Sequence, residues 1–441
     1  MGIGNIIFLI LLLTISGIFT VQVRKIRRNI LLGRDIERND RKGERLSVMT
    51  RVALGQSKMV KRRLAGIMHI FIYAGFVIIN IEVLEIMIDG IFGTHRIFAF
   101  LGPLYNVLIA SFEILAALVL IACIVFLIRR YSKQIARFRM RELKGWPRSD
   151  AYYILWIEVT LMTAFLTMNG ADYALQQSGE PGYVQAGAFP ISGMFSGFFS
   201  QFSVGTLIAI ERTAWWYHIV GILLFLIYIP MSKHFHIFLS FPNVYYSNLN
   251  KLGKFTNMDK VTAEVKLMMD PSADPYAVPA EGEPVETPEK FGARDVQDLT
   301  WKNLMDAYSC TECGRCSDSC PASLTGKLLS PRKIMMDTRD RLEEVGRNID
   351  KHGIGHDDGK ALLGDYILEE ELWACTTCNA CVDACPVNID PLSIIVDLRR
   401  YLVMEESKSP SELNGMYTNI ENNGAPWAFP QADRLKWADE M

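Results

Sequence analysis

No glycine-rich dinucleotide fingerprint, phosphate-binding loop or nucleophile motif occurs in the 441 residues. Hydrolysis and group transfer therefore have no recognisable machinery here, and NAD or a flavin would have to sit on another chain. One-sided charge is missing too: 46 Lys and Arg against 48 Asp and Glu leave a formal net charge of -2. That balance gives no electrostatic footing for nucleic acid, but it hides a basic first half and an acidic second half. Histidine is scarce, with seven in all, so the position of each is informative.

Cysteine is sparse as well, yet eight of the nine fall into two identical runs: Cys310, Cys313, Cys316 and Cys320-Pro321, then Cys375, Cys378, Cys381 and Cys385-Pro386. This spacing belongs to paired four-iron, four-sulfur clusters. Such a cube needs four soft thiolates. Three come from one tight loop, while the cysteine before proline sits on departing backbone and reaches the other cube. The expected ligand sets are therefore crossed: Cys310, Cys313 and Cys316 with Cys385, and Cys375, Cys378 and Cys381 with Cys320. Tetrahedral zinc and disulfides are the alternatives, but zinc takes four ligands and has no use for the fourth cysteine of each run. Electron transfer is the first function these residues point to. The ninth, Cys123, lies in an apolar stretch and reads as a plain apolar side chain.

Long apolar stretches occupy 3–22, 64–88, 97–128, 150–168 and 214–232. Each is long enough, or nearly so, to cross about 30 Å of hydrocarbon as a helix. The first could be a signal peptide, but a basic run follows it where a cleavage segment would lie, so it reads as a helix. The stretch 188–210 carries Gly193, Gly197, Ser200, Gln201, Ser203 and Gly205 and reads as interfacial or re-entrant, not as a sixth span. Segment 24–63 has fourteen Lys/Arg against four acidic residues and 129–150 has eight against two, whereas 89–96 and 169–213 hold one Arg each. Both basic loops should face the cytoplasm. Five helices then place the N-terminus outside and everything after about residue 237 in the cytoplasm, where cysteines stay reduced. The expected setting is a multi-pass protein of the cell inner membrane.

His218 and His236 are eighteen residues apart, five turns of a straight α-helix, so they would share one face about 27 Å apart. His234 would point away, as an interfacial residue beside Lys233. A b-type haem with low-spin iron takes two axial imidazoles, and an imidazole inside a membrane must be satisfied by something. His69, at the depth of His236, is its expected partner. A second, outer haem would need His95 to pair with His218; Asn80 returns to the face of His69 but is a poor axial ligand. One haem is thus expected, or two if His95 serves. Arg62, Arg63 and His69 border the inner haem position, and Glu82, Glu85 and Asp89 lie toward the outer one, where a quinone could bind and protons be handled.

Apolar residues at three- and four-residue spacing, among them Ile334, Met335, Leu342 and Val345, then Leu392, Ile395 and Leu398, predict helices around the cysteine loops. Prolines and like charges over 247–300, from Asp270-Pro271 to Pro288-Glu289, predict a tether or strap, with a short amphipathic piece at Val261–Met269. The tail after Ser407 has few periodic apolar positions, and Trp427, Phe429 and Trp437 suit docking on a partner or on the cysteine-bearing domain. The expected divisions are a membrane domain at 1–245, a tether at 246–300, a cluster domain at 301–405 and a docking tail at 406–441.

On these motifs, with Pro230, Lys233, His234, His236, Pro242 and Asn243 closing the last span, residues 1–245 resemble the five-helix cytochrome b subunit of respiratory nitrate reductases and related heterodisulfide reductase subunits. Residues 300–400 resemble the helical two-cluster ferredoxin domain of the same complexes. Together they resemble the front part of membrane-bound iron-sulfur oxidoreductases, some of which pass electrons from electron-transfer flavoprotein to menaquinone. The resemblance implies an all-α protein, a five-helix transmembrane cytochrome b bundle followed by a helical two-[4Fe-4S] ferredoxin domain. It also implies an electron relay between a cytoplasmic partner, either a flavoprotein or a CCG-domain subunit, and menaquinone or another quinone in membrane lipid, within a hetero-oligomer. A quinol-driven heterodisulfide or trisulfide reductase subunit and a structural anchor with clusters are the alternatives. Two departures stand out. Ile79 occupies the place where the nitrate reductase pattern has a second histidine on the second helix, and Met441 is reached without the CCG domains of longer relatives, so either a separate polypeptide is expected to supply them or the partner is something else.

Overall fold

A computed structural model describes residues 2–132, 134–272 and 290–439, and every regular element among them is helical. Five helices are long and apolar enough to cross a membrane: α1 (Ile3–Ile30), α2 (Arg63–Phe92), α3 (Pro103–Tyr131), α4 (Trp146–Ser178) and α5 (Val204–Tyr228). Local chemistry sets their ends. Pro103 follows Gly102 and Pro147 follows Gly145 in the first turns of α3 and α4, where a missing N–H costs nothing. Ser203 caps α5 by accepting from Thr206 N–H, and Gly179 ends α4 at φ 69°.

Successive spans pack side by side, and α5 returns to α1, so the five close into a ring. Without a hydrophobic drive inside lipid, such packing depends on close approach. Gly90 allows it, since a Cβ there would come within 2.8 Å of the Phe8 ring. Phe8, Ile79, Tyr105, Ile109, Phe112, Phe165 and Ile219 fill the core of the bundle.

The second half packs against one end of this ring. Helices α6 (His236–Tyr245), α7 (Trp301–Ser309), α8 (Pro331–His352) and α9 (Pro391–Met404) form its frame. Its core runs without a break into the membrane helices: Ile26 and Ile30 of α1 and Phe225 of α5 join Leu304, Tyr308, Leu342 and Leu398. At Gly346 α8 crosses the side chain of Asn29, which donates to Tyr308 at 2.9 Å. Ion pairs surround the contact. Lys25 and Arg28 meet Asp350, Arg62 meets Asp318 at 2.6 Å, and the fully buried Arg332 meets Glu142 at 2.8 Å. The basic ends of the spans are thus the ends that carry the cysteine-bearing domain.

Several boundaries differ from those the hydropathy predicts. Helix α4 runs ten residues past 168 and α5 begins ten before 214, because Asp172 and Glu211 are neutralised by Arg96 and Arg212 and so do not end the helices. Residues 192–199 form two short helical turns, as an interfacial segment should. After Tyr228 the α-helix stops: Pro230 and an extended Ser232 lead through two 3-10 turns into α6, so His218 and His236 do not lie on one straight helix. Ala293, Val296 and Leu299 are fully buried in the second core, which therefore begins before residue 301. Helix Asp259–Met269 forms the amphipathic piece, while the proline-rich part of the expected tether, 273–289, lies outside the described residues. The tail folds a helix at Ser411–Asn423 and leaves Trp427, Phe429 and Trp437 exposed.

Replacing Glu142 by Ala leaves Arg332 buried beside Arg137 carbonyl without its carboxylate, a change that costs about 3–5 kcal/mol when a buried pair is broken. The unfolding midpoint of the detergent-solubilised protein should fall accordingly, and an unchanged midpoint would remove this pair from the interface.

Candidate functional site

Helix α7 ends on Cys310, and its start is fixed by Thr300 and Asn303, whose side chains bond reciprocally to each other's backbone N–H. The chain then turns through Glu312 and Gly314, both with left-handed backbone, into a helical turn at Arg315–Asp318. Cys320 is extended before Pro321. The second loop repeats this course, with Thr377 and Asn379 left-handed, a turn at Ala380–Ala384 and an extended Cys385 before Pro386. The two helical turns pack on each other.

That packing crosses the runs. Cys310, Cys313 and Cys316 line one small cavity with Cys385 and also Cys381 of the second run, and Arg315, Arg332 and Val387 form part of its wall. Cys375, Cys378 and Cys381 are electrostatic neighbours with Cys320. Cys316 and Cys381 lie where the two groups meet. Among the described residues no three His, Cys, Asp or Glu side chains converge tightly enough to hold a single ion. Four sulfurs spread around a void suit a cube better than a tetrahedral zinc. Burial lifts the thiols of this half, Cys310 to about 12 and Cys385 to about 11, so a bound metal must displace protons from them. Backbone N–H groups already point at sulfur, from Thr377 to Cys375 at 3.4 Å and from Ile389 to Cys385 at 3.3 Å.

The two groups differ in surroundings. The Cys310 group faces the membrane helices, with Arg130 and Arg137 in electrostatic reach of Cys313, and Lys58 in reach of Cys385. In the other group Cys378 is exposed and the cation in reach is Arg399, beside Cys375. Lys233, at the end of the fifth span, reaches Glu312 of the first cysteine loop at 2.6 Å, and Arg339 reaches the same carboxylate at 2.8 Å. Burial would raise the Glu312 carboxyl; Lys233 and Arg339 outweigh it and hold the group below its ordinary value.

His69 and His236 face each other with ring centres 6.4 Å apart. The break after α5 brings this about despite the lost five-turn relation, and it also draws in His234, 5.6 Å from His236. One ring nitrogen of His236 is held by the Lys233 carbonyl at 3.0 Å, and Nδ1 of His69 is enclosed without a partner. These two imidazoles would hold one iron between them if a haem were bound, and that group would supply one-electron chemistry there. Burial keeps His234 and His236 neutral, His234 at about 3, as ligation requires.

The expected outer pair is not formed. His95 lies with Nε2 3.2 Å from Asp172 and Nδ1 accepting from Val184 N–H at 3.4 Å, so both its nitrogens are engaged away from His218. His218 itself is buried against Phe165, with Nδ1 on the Leu161 carbonyl at 2.9 Å and Nε2 unpartnered. Ile79 is buried core, and Asn80 bonds back to the Phe76 carbonyl on an exposed face.

The end of the bundle away from the cysteines holds a polar network that hydropathy reading captures only in part. Glu82, Glu85 and Asp89 are joined there by Arg96, Glu113, Asp172 and Glu211. The signal for the missed members was an acidic residue inside an apolar run, which carries a cost and a purpose in lipid.

Residues 309–389 match the family model of the 4Fe-4S dicluster domain. "Probable iron-sulfur-binding oxidoreductase FadF" of Bacillus subtilis is 31% identical over 469 residues, covering 99% of this chain and 61% of that protein. "EtfAB:quinone oxidoreductase" of Syntrophomonas wolfei is 28% identical over 460 residues, covering 99% and 59%. "Probable membrane-anchored ferredoxin" of Chromohalobacter salexigens is 34% identical over 164 residues, 34% of this chain and 24% of that protein. No solved structure matches. The chain thus spans about three fifths of the length of the first two relatives, both oxidoreductases by name, and is itself an all-α membrane protein with a C-terminal 4Fe-4S ferredoxin domain.

Proposed function

We propose that the chain is an electron-relay component of a quinone-linked membrane oxidoreductase, with two [4Fe-4S] clusters in the crossed cysteine sets and one b-haem between His69 and His236. The observation that carries this reading is the seating of the cysteine loops on the end of the bundle where these two imidazoles face each other. Arg315 lines the Cys310 cavity and also lies in electrostatic reach of His69, so it links the two places. Clusters and haem, when bound, would each take up and give away single electrons. The chain's own residues set the order. Exposed Cys378 marks the side open to a soluble partner, and the buried Cys310 group marks the side toward the membrane. The excess of Lys and Arg in 24–63 and 129–150 supports a cytoplasmic position for this half. The soluble partner is then a cytoplasmic flavoprotein or CCG-domain protein. The name of the Syntrophomonas relative, which couples EtfAB to quinone, favours the flavoprotein. The exposed Trp427, Phe429 and Trp437 offer it apolar anchors.

Non-haem iron and acid-labile sulfide should each approach about eight per chain when both cysteine sets are filled, and a value near four would leave one set without its cluster. Cys320→Ser should damage the cluster held by Cys375, Cys378 and Cys381 while sparing the other, as electron paramagnetic resonance would show. Loss of the Cys310-group signal instead would undo the crossing.

His69→Ala and His236→Ala should each abolish the low-spin haem absorbance, whereas His95→Ala and His218→Ala should keep it. A spectrum that survives His236→Ala but is lost in His234→Ala would move the axial bond to His234. In membrane vesicles the absorbance should shift to that of reduced haem when a reduced flavoprotein partner is added and shift back on addition of a quinone; absence of any quinone response would leave the anchor reading.

A further inference from the structure

At the end of the bundle away from the cysteines, the carboxylates are nearly all satisfied. Glu85 accepts from Phe98 N–H at 2.8 Å and from Tyr105 O–H at 2.9 Å, and Asp172 accepts from Arg96 at 2.6 Å. Asp89 accepts from Arg96 N–H at 2.8 Å, and Glu211 takes the guanidinium of Arg212. Glu82 stands apart. It is 2% exposed, and its Oε2 is enclosed without a partner of any kind, whereas the enclosed Oδ1 of Asp172 has His95 Nε2 at 3.2 Å. A buried carboxyl left this way carries an uncompensated desolvation cost, which a ligand able to bond to it would remove.

Glu82 lines a polar pocket of about 210 Å³. Beside it, between α4 and α5, runs an apolar groove of about 850 Å³ that includes the exposed Thr160, Tyr217 and Leu224 on the lipid-facing side. Arg212 and Trp216 line both spaces, so the polar pocket and the groove adjoin. A ligand that fills the two needs a small polar head, a long apolar chain and access from the bilayer. An anionic phospholipid head would be repelled by Glu82, Glu85 and Asp172 at close range, whereas a neutral ring would not, and its acceptor oxygens can bond to Glu82 in the protonated form.

We propose that the two spaces form one quinone site, with the ring in the polar pocket beside Glu82 and the isoprenoid chain in the groove along Thr160 and Leu224. The assignment rests on the quinone-linked reading above and locates it. Reduction of a quinone to quinol consumes two electrons and two protons. The electrons would come from the clusters and haem of the reading above when these are bound. Glu82 supplies one proton to a ring oxygen and is reprotonated from water, and water in the pocket supplies the second. Quinol oxidation is the same step reversed.

The test uses the full chain in quinone-free nanodiscs, with the fluorescent inhibitor heptylhydroxyquinoline N-oxide as probe and two competitors: menadione, which has a ring alone, and a menaquinone with a short isoprenoid chain. Glu82→Leu should weaken both competitors about tenfold or more, the loss of one hydrogen bond to a buried group. Thr160→Phe, on the lipid-facing side, should weaken only the one with a chain. Glu82→Gln keeps the side chain's shape and should remove a carboxyl infrared band that shifts when quinone binds, so misfolding is told apart from loss of the group. Unchanged competition in both Glu82→Leu and Thr160→Phe would overturn the site, as it would if phospholipid alone filled the groove. Failure of the wild type to bind the probe or either competitor would sink the quinone-linked reading itself.

Discussion

One ammonium group ties the two halves together. Lys233 lies just past the end of α5, and its Nζ donates to Glu312 at 2.6 Å and to the Pro147 carbonyl at 2.5 Å, while its backbone N–H donates to Asp150 at 3.1 Å. It thereby joins the end of the fifth span, the start of the fourth and the first cysteine loop. The pair is buried, and breaking either side would leave a charge stranded at a cost of several kcal/mol. Arg339 on the other side of Glu312 makes that carboxylate a shared anchor between membrane helices and α8.

The geometry of the site follows from this anchor. For Lys233 to reach the cysteine loop the fifth span must stop being an α-helix, and Pro230 with the extended Ser232 stops it. The turn that results lowers His236 onto His69 and seats the Cys310 cavity, lined by Arg315, against the same end of the bundle. A continuous apolar core beneath these contacts, from Ile26 and Phe225 to Leu304 and Leu398, holds the arrangement at fixed depth. Electron transfer needs such fixed spacing. A domain hung on a free tether would not supply it.

The far end of the bundle solves a different problem with the same means. Acidic groups placed in spans are met by partners from elsewhere in the bundle: Asp172 of α4 pairs with Arg96 from the α2–α3 connection, and Glu85 of α2 accepts a hydrogen bond from Tyr105 of α3. At Glu82 no such partner is present, and the bundle keeps an enclosed carboxyl oxygen without a hydrogen bond beside a polar space. Stability and chemistry are separated there by a single hydrogen bond made or not made.

Properties that run along the chain were legible from the sequence alone. Two runs of four cysteines, each ending before proline, marked a 4Fe-4S domain, and the fold brings the end of the second run to the cavity lined by the first. Apolar length dictated five spans, and the basic connections marked the end where the cysteine domain sits. The tertiary structure decided what depends on partners distant in sequence. It extended α4 over Asp172, since pairing with Arg96 cancelled a charge that hydropathy had counted against helix. It took His95 for Asp172 and left His218 without a second imidazole. It broke the last span so that His236 met His69 by a route no straight-helix count contains. Spacing and hydropathy are summed over neighbours in the chain, whereas the desolvation of a buried charge or imidazole is set by whichever group the fold brings against it.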